Sequence, residues 1–388
     1  MDVEITMNNA SSEDTAHLLT LLLCGDVMTG RGIDQILPHS SDPALFEPYV
    51  KDARDYVRLA ERANGPIPKP VSYSYIWGDA LDEVERQSPD LRIINLETSI
   101  TSSDKYWRGK GINYRMHPEN IPCITGAGVD LCTLANNHVL DWGYPGLIET
   151  LETLEKAGVK SVGAGRNLKE AQAPAIMEIK GKGRVIVFSF GSPTSGIPFE
   201  WAASKDRPGI NLLEDFSHET ARRIESMVKE VKQPGDIVIF SIHWGGNWGY
   251  AISPMQMKFA HELIDHAGID LIHGHSPHHV KGMEVYKDKL VLYGCGDFLD
   301  DYEGISGYEE FRDDLGLMYF VTVDALSGKL VRLRMTPTQI RNFKVNRAST
   351  TDALWLQGIL AREGSVLGAR VDLDQKNVLT LRWESGRA

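Results

Sequence analysis

Six short apolar runs in this chain end on residues of the kind that hold metal ions. Leu18–Cys24 runs into Gly25-Asp26, and Leu91–Asn95 into Leu96-Glu97. Asp130–Leu134 runs into Asn136-Asn137-His138, and Ile237–Ile242 into His243-Trp244. Asp270–His273 runs into Gly274-His275 and on to His278-His279, and Lys289–Tyr293 into Gly294-Cys295-Gly296-Asp297. Each run has strand length and composition, as does Val185–Phe190. Sites in α/β sheets form at the carboxyl ends of strands, so the placement itself is informative. Any one position has a local explanation. Asp26 can cap a helix, Asn137 can make an Asx turn, and a lone His243 beside Trp244 can be a packed histidine. Six coincident strand ends are poorly explained that way.

Helical patterns separate some of the runs. Within Tyr144–Ala157, Leu147, Ile148, Leu151 and Leu154 share a face, as do Ala260, Leu263, Ile264 and Ala267 within Pro254–Ala267. Each pattern stops at an Ala-Gly pair, with Gly158 or Gly268 suited to the left-handed cap. A strand follows at once, which predicts an α/β fold. Residues 38–75 read as an insertion around an amphipathic piece at Tyr49–Ala63, and residues 192–212 as a long loop. Beyond about residue 313 the pattern is mainly strands, with one helix near Asp352–Arg362.

The 388 residues carry a formal net charge of −12, which argues against nonspecific nucleic-acid binding. Cys24, Cys123, Cys132 and Cys295 form no CxxC, so buried thiols and a reducing compartment are expected. Residues 1–17 are acidic and polar and read as a disordered tail without the basic start of a signal peptide. The run LLTLLLC is too short to span a bilayer. The expectation is a cytoplasmic protein with no visible membrane anchor.

Carboxylates, carboxamide and imidazoles suit Zn²⁺, Mn²⁺ or Fe²⁺ better than Ca²⁺. The set has no thiolate, which argues against a closed structural zinc site and for a catalytic one.

The ordered motifs GDVMTGR (25–31), NLETSIT (95–101), LANNHVLDWG (134–143), SIHWG (241–245), GHSPHH (274–279) and YGCGDF (293–298) resemble the CapA-type poly-γ-glutamate capsule synthesis proteins. That family is similar in fold to the calcineurin-like metallophosphoesterases, so the resemblance implies a four-layer α/β/β/α sandwich. The resemblance covers roughly residues 18–300; the tail beyond 313 carries no motif and is read as closing strands plus an appendage, giving an expected main domain over 18–340 and a C-terminal helix–strand appendage over 341–388. The resemblance also implies that Asp26, Glu97, Asn137, His243 and His275 ligate one or two divalent ions (Mn, Zn or Fe), with Glu97 bridging. His138 matches an acid–base histidine, and His275 and His278 match the paired histidines of the last motif. Met28 stands where the phosphoesterases have a histidine, and the last motif has an extra residue between its histidines. Glu97 replaces an aspartate, and Gly-Asp297-Phe298 replaces the capsule family's Gly-Asn-Phe. One tightly held ion is therefore expected ahead of two.

Arg31, Arg108, Lys110 and Arg115 lie on or near the motif loops and can bind a carboxylate or phosphate, or make surface ion pairs. Trp142 and Trp244, with Trp107 and Trp248, either line a groove or pack behind the ligands. Arg31, Arg115, Trp142 and Trp244 are the candidate substrate contacts. The candidate catalytic residues are His138, His278 and Asp297. Whether His278 or His279 faces the site stays open, and Asp297, Asp300, Asp301 and Glu303 also read as loop charges. The leading expectation is a metal-dependent enzyme acting by hydrolysis or transfer on polyglutamate or another peptide-like anionic substrate. A metal-dependent peptide epimerase that removes a Cα proton is the alternative, and a non-catalytic capsule assembly scaffold is the third reading.

Overall fold

The computed structural model of the protein describes residues 17–384. All but the last residue of the predicted N-terminal tail lies outside them. The chain forms a mixed α/β fold with two large sheets. The strands of the first are β1 (Leu18–Val27), β2 (Leu91–Leu96), β3 (Leu131–Thr133) and β4 (Lys160–Val162). Those of the second are β5 (Ala175–Ile179), β6 (Gly183–Gly191), β7 (Ile237–His243), β8 (Leu271–His275), β9 (Met283–Tyr286) and β10 (Lys289–Leu292). The chain then returns to the first sheet with β11 (Asp297–Leu299), β12 (Leu315–Asp324), β13 (Leu330–Ile340), β14 (Val345–Arg347), β15 (Ala369–Leu373) and β16 (Leu379–Trp383). The first sheet runs β15-β16-β13-β12-β1-β2-β3-β4, with β11 on the end of β1 and β14 on β13. The second runs β9-β10-β8-β7-β6-β5. Both have parallel centres, β1 through β4 in one and β6, β7, β8 and β10 in the other.

Side-chain alternation assigns each strand two faces. Leu19, Leu21 and Leu23 of β1 share a core with Val185 and Val187 of β6 and Ile237 and Ile239 of β7. The two sheets therefore bury one face against each other. Cys24, Ile94 and Cys132 point the other way, onto Ile33 of helix α1 (Arg31–Ile36), Val57 of α2 (Arg54–Asn64) and Leu147 of α4 (Gly143–Lys156). Between α2 and α4, helix α3 (Asp79–Gln87) adds Ala80 to the same cluster. Val238 and Phe240 of β7 meet Ile224 and Val228 of α5 (His218–Val231) and Phe259 and Leu263 of α6 (Pro254–His266). Burying each such aliphatic side chain contributes about 2 kcal/mol. Helix α7 (Thr350–Ser365) adds Leu356 and Leu360 to the inter-sheet core.

Helix α6 begins on a capping box in which Ser253 and Gln256 satisfy each other's backbone N–H groups, with Pro254 in its first turn. Gly158 and Gly268 follow α4 and α6 with φ of +74° and +70°, the left-handed conformation expected of them. The amphipathic piece predicted from Tyr49 becomes helical only at Arg54. The expected long loop carries 3-10 turns at Pro193–Ser195 and Phe199–Trp201 and a short strand, Gly209–Ile210, paired with Ala164–Gly165. The four cysteines are free and buried. Among the described residues no helix is long and apolar enough to cross a membrane.

Candidate metal centre

Strand register builds this site. His243 and His275 close β7 and β8 and are direct partners across that parallel pair. Both continue the inward-facing parity of Ile237, Ile239 and Leu271. On the first sheet, parity along β1 alone would send Asp26 to the helix side with Leu22 and Cys24. A bulge between Leu23 and Asp26 inserts one residue against β2, so Asp26 pairs with Asn95, whose parity is inward. Gly25 makes the bulge feasible, because a Cβ there would stand 1.7 Å from the Gly296 carbonyl oxygen. Asp26 N–H donates to that same oxygen at 3.1 Å, and Asp26 is also the register partner of Asp297.

The ligand atoms of Asp26, His243 and His275 lie within 4.8 Å of one another, as do those of Asp26, Glu97 and Asp297. Asp26 is the carboxylate common to both groups, whereas the resemblance put Glu97 in the bridging place. Imidazole His243 stands between two clusters of acceptors. Its Nδ1 faces His275 Nδ1 at 2.8 Å and Asp26 Oδ1 at 3.9 Å; its Nε2 faces Asn137 Oδ1 at 3.0 Å and Glu97 Oε1 at 3.6 Å.

A proton count tests whether this set fits a cation. His273 is neutral, because burial lowers its pKa to about 4. Its Nε2–H donates to the Cys24 carbonyl at 2.8 Å, so its Nδ1 accepts from Ser241 Oγ at 3.2 Å. Ser241 Oγ, its own proton spent, accepts from His275 Nε2–H at 2.9 Å. His275 therefore shows a lone pair at Nδ1. Burial also drives His243 well below the ordinary histidine range, leaving it one N–H for two acceptor-lined sides. One side then sets lone pair against lone pair, a deficit that a cation makes good. Burial first, then repulsion from Asp297, raises Asp26 above the usual carboxylate range, and burial, then repulsion from Asp26 and Asp297, raises Glu97. A dication held by these carboxylates would replace protons that crowding otherwise forces onto them.

Asn95 supports Asp26. Its Nδ2 donates to Asp26 Oδ1 at 2.6 Å, while its Oδ1 accepts from Thr133 Oγ1 and Asn136 Nδ2, each at 3.1 Å. Asn136 Oδ1 in turn accepts from the backbone N–H of His138 and Val139. In the loop after β3, Asn136 thus shapes the turn, Asn137 faces His243, and His138 points Nε2 at Glu97 Oε1 from 3.9 Å. His138 Nδ1 lies 2.6 Å from Asp141 Oδ2 and its ring stacks on Tyr114 at 3.8 Å. Burial, then Lys110, hold His138 well below its ordinary pKa, while burial pushes Asp141 up to about 7 against the pull of Lys110. Lys110 Nζ donates to Asp141 Oδ1 and the Ile112 carbonyl. On the Asp297 side, His278 Nδ1 lies 3.0 and 3.1 Å from the two carboxylate oxygens, and His278 Nε2 lies 2.9 Å from Asn247 Nδ2. Burial lowers the His278 pKa, but the Asp297 charge and hydrogen bond raise it by more.

His278, not His279, faces the centre. His279 donates Nδ1–H to the Val280 carbonyl and packs on Trp248 and Phe311. Met28 Sδ accepts from Gly30 N–H and holds its own loop. Two of the expected substrate contacts are committed to partners within the fold. Arg31 is buried, and its guanidinium is committed to Asp301 and Glu47 over the Tyr56 ring. Trp244 is fully buried, donates Nε1–H to the Tyr293 carbonyl and packs on Tyr293 and Phe216. Trp142 is also nearly closed off, with Nε1–H on the Tyr114 carbonyl, and carries the Arg115 guanidinium 3.8 Å from its ring centre. Asp300 and Asp301, expected as solvated charges, are buried. Asn95, Asp141, Ser241 and His273 are the residues that sequence reading missed. Parity was the available signal: Asn95 is two before Glu97, and His273 two before His275.

The model of the family described as bacterial capsule synthesis protein PGA_cap matches residues 20–302. The probable polyglutamine synthesis accessory protein of Mycobacterium tuberculosis (strain ATCC 25618 / H37Rv) is 48% identical over 363 residues, covering 93% of this chain and 95% of the relative. Capsule biosynthesis protein CapA of Bacillus anthracis is 27% identical over 305 residues, covering 78% and 63%. PGA biosynthesis protein CapA of Bacillus subtilis (strain 168) is 26% identical over 326 residues, covering 83% and 72%. With its candidate ligands in register at the strand ends and most of its length matched, this chain belongs to the bacterial capsule synthesis protein family, PGA_cap.

Proposed function

We propose that the chain is a metal-dependent enzyme acting by hydrolysis or transfer on poly-γ-glutamate or a similar peptide-like anionic polymer. Its two sheets and outer helices would form the four-layer α/β/β/α sandwich of the calcineurin-like metallophosphoesterases. The observation that carries the reading is the proton-deficient cluster of buried Asp26, Glu97, His243 and His275 with half-buried Asn137, beside a neutral histidine. The names of the relatives support the substrate class. A bound divalent ion supplies polarisation of a carbonyl or phosphoryl oxygen and a more acidic water.

The chain's own residues supply the proton transfers. His138 Nδ1 lies between Asp141 Oδ2 at 2.6 Å and Lys110 Nζ at 2.9 Å; with the Lys110 protons directed to Asp141 Oδ1 and the Ile112 carbonyl, Nδ1 carries its proton toward Asp141 and Nε2 presents a lone pair. His138 takes a proton from the nucleophile at Nε2 and returns it to the leaving amine. Asp141 holds the tautomer, and Lys110 holds Asp141.

One feature favours epimerisation as a second reading. Two His–Asp pairs lie at the carboxylate cluster, His138–Asp141 beside it and His278–Asp297 through Asp297 itself, and removal and return of a Cα proton needs two such groups. The test is incubation of metal-loaded protein with poly-γ-glutamate in D₂O. Shortened chains, lost in Asp26→Asn and His138→Ala, support hydrolysis. Deuterium at Cα in chains of unchanged length supports epimerisation. Neither product, with metal content in Asp26→Asn and His243→Ala equal to wild type, sinks both and leaves the scaffold.

A further inference from the structure

Beside the loop that carries His138 lies a cavity of about 400 Å³, lined by Arg115, Asp42, Asp104, Ser41, Phe46 and Trp142 among others. Arg115 is fixed on the Trp142 ring and donates Nη1–H to the Ser103 carbonyl at 2.8 Å and Nη2–H to the Asp42 carbonyl at 2.9 Å. It has no carboxylate in ion-pair contact among the described residues, unlike the buried Arg31. Asp42 and Asp104 are exposed, and Ser41 Oγ is buried without a hydrogen-bond partner among the described residues. Asp42 spends only one carboxylate oxygen, on the Ala44 N–H.

One held cation and two carboxylates lining one cavity do not suit a simple anion, which would meet Asp42 and Asp104 as well as Arg115. They suit a ligand carrying both signs a few ångströms apart. We infer that this cavity binds the zwitterionic head of an amino acid, its α-carboxylate on Arg115 and its α-ammonium on Asp42 and Asp104, presented by the amino-terminal residue of a γ-linked glutamyl chain. The chemistry of the linkage selects that end. In a γ-linked chain the amide runs through the side chain, so the first residue keeps both α-groups; in an α-linked peptide its carboxylate is consumed. The polymer identity rests on the function proposed above, whereas recognition of the head group rests on the cavity. The cavity and the centre share a loop, since Trp142 follows His138 and both contact Tyr114.

The test is calorimetric titration of the full chain with the γ-linked glutamate dimer, its N-acetyl derivative, the α-linked dimer, free glutamate and inorganic phosphate. The γ-dimer is expected to bind at least tenfold tighter than the N-acetyl and α-linked forms. Arg115→Gln is expected to lose more than tenfold in affinity and the exposed Asp104→Asn several-fold. Should Arg115→Gln fail to fold, Asp104→Asn decides. Asp26→Asn should bind the γ-dimer as wild type does; loss there puts the ligand on the metal centre and overturns the inference. Equal binding of the acetylated dimer, or displacement by phosphate, also overturns it. Free glutamate binding as tightly as the γ-dimer, with no binding of the polymer, leaves the head-group site standing and removes the polyglutamate reading instead.

Discussion

His275 meets the centre through Nδ1 because a chain of donors runs from His273 through Ser241 to its other nitrogen. Each donor in that chain has one acceptor, so the tautomer is decided before any ligand arrives. Ser241→Ala removes the acceptor for His275 Nε2–H and frees the ring to flip. Metal affinity is expected to fall about 10–100-fold, as measured by competition with a chromogenic chelator. An unchanged affinity would show that the tautomer is held elsewhere. Asp141→Asn tests the other histidine. An amide that donates to His138 Nδ1 moves the proton to Nε2 and removes the lone pair. Turnover should fall on the order of 10²–10⁴-fold with metal content unchanged. Comparable turnover in the variant would remove His138 from the proton transfers.

Strand ends position the candidate ligands, and they do so by pairing rather than by stopping. His243 and His275 lie within β7 and β8, and Asp26 within β1, where the apolar pattern alone ended each strand earlier. Parallel partners extend the ladder through polar residues that strand composition does not favour. The bulge in β1 depends on close approach of the Gly296 carbonyl, so Gly25→Ala must push β1 and the segment before β11 apart. The expected cost is about 1–3 kcal/mol, read as a lowered Tm, together with loss of bound metal. A variant that keeps full metal content would show that Asp26 is not placed by the bulge. The C-terminal helix and strands are tied to the same sheet: β16 pairs with β13 through Arg334 and Met335, and α7 enters the inter-sheet core.

Across the molecule, a polar site at the edge of an inter-sheet core has a cost in acid. His273 lies fully buried between the sheets, with its pKa lowered by burial from 6.5 to about 4. The unfolded chain takes up its proton near pH 6.5 and the folded chain only near 4. This contribution is intact above the unfolded value and is lost as pH falls through that window, by roughly 3 kcal/mol at about 1.4 kcal/mol per unit. Thermal melts from pH 7.5 to 4 should show this slope in wild type and a shallower one in His273→Asn. Equal slopes would mean that acid sensitivity arises at other groups.

Apolar periodicity along the chain was enough to establish the alternation of strands and helices, the glycine caps after α4 and α6, and the polar residues gathered at strand ends. These depend on near neighbours, so spacing records them. What only the tertiary structure decided was which atoms face one another. Asp26 turns inward because β1 bulges against β2, Asn95 and Ser241 matter because of cross-strand register, and Arg31 and Trp244 are spent on partners remote in sequence. Such contacts join residues as far apart as Cys24 and His273, and no local pattern encodes which strand lies beside which.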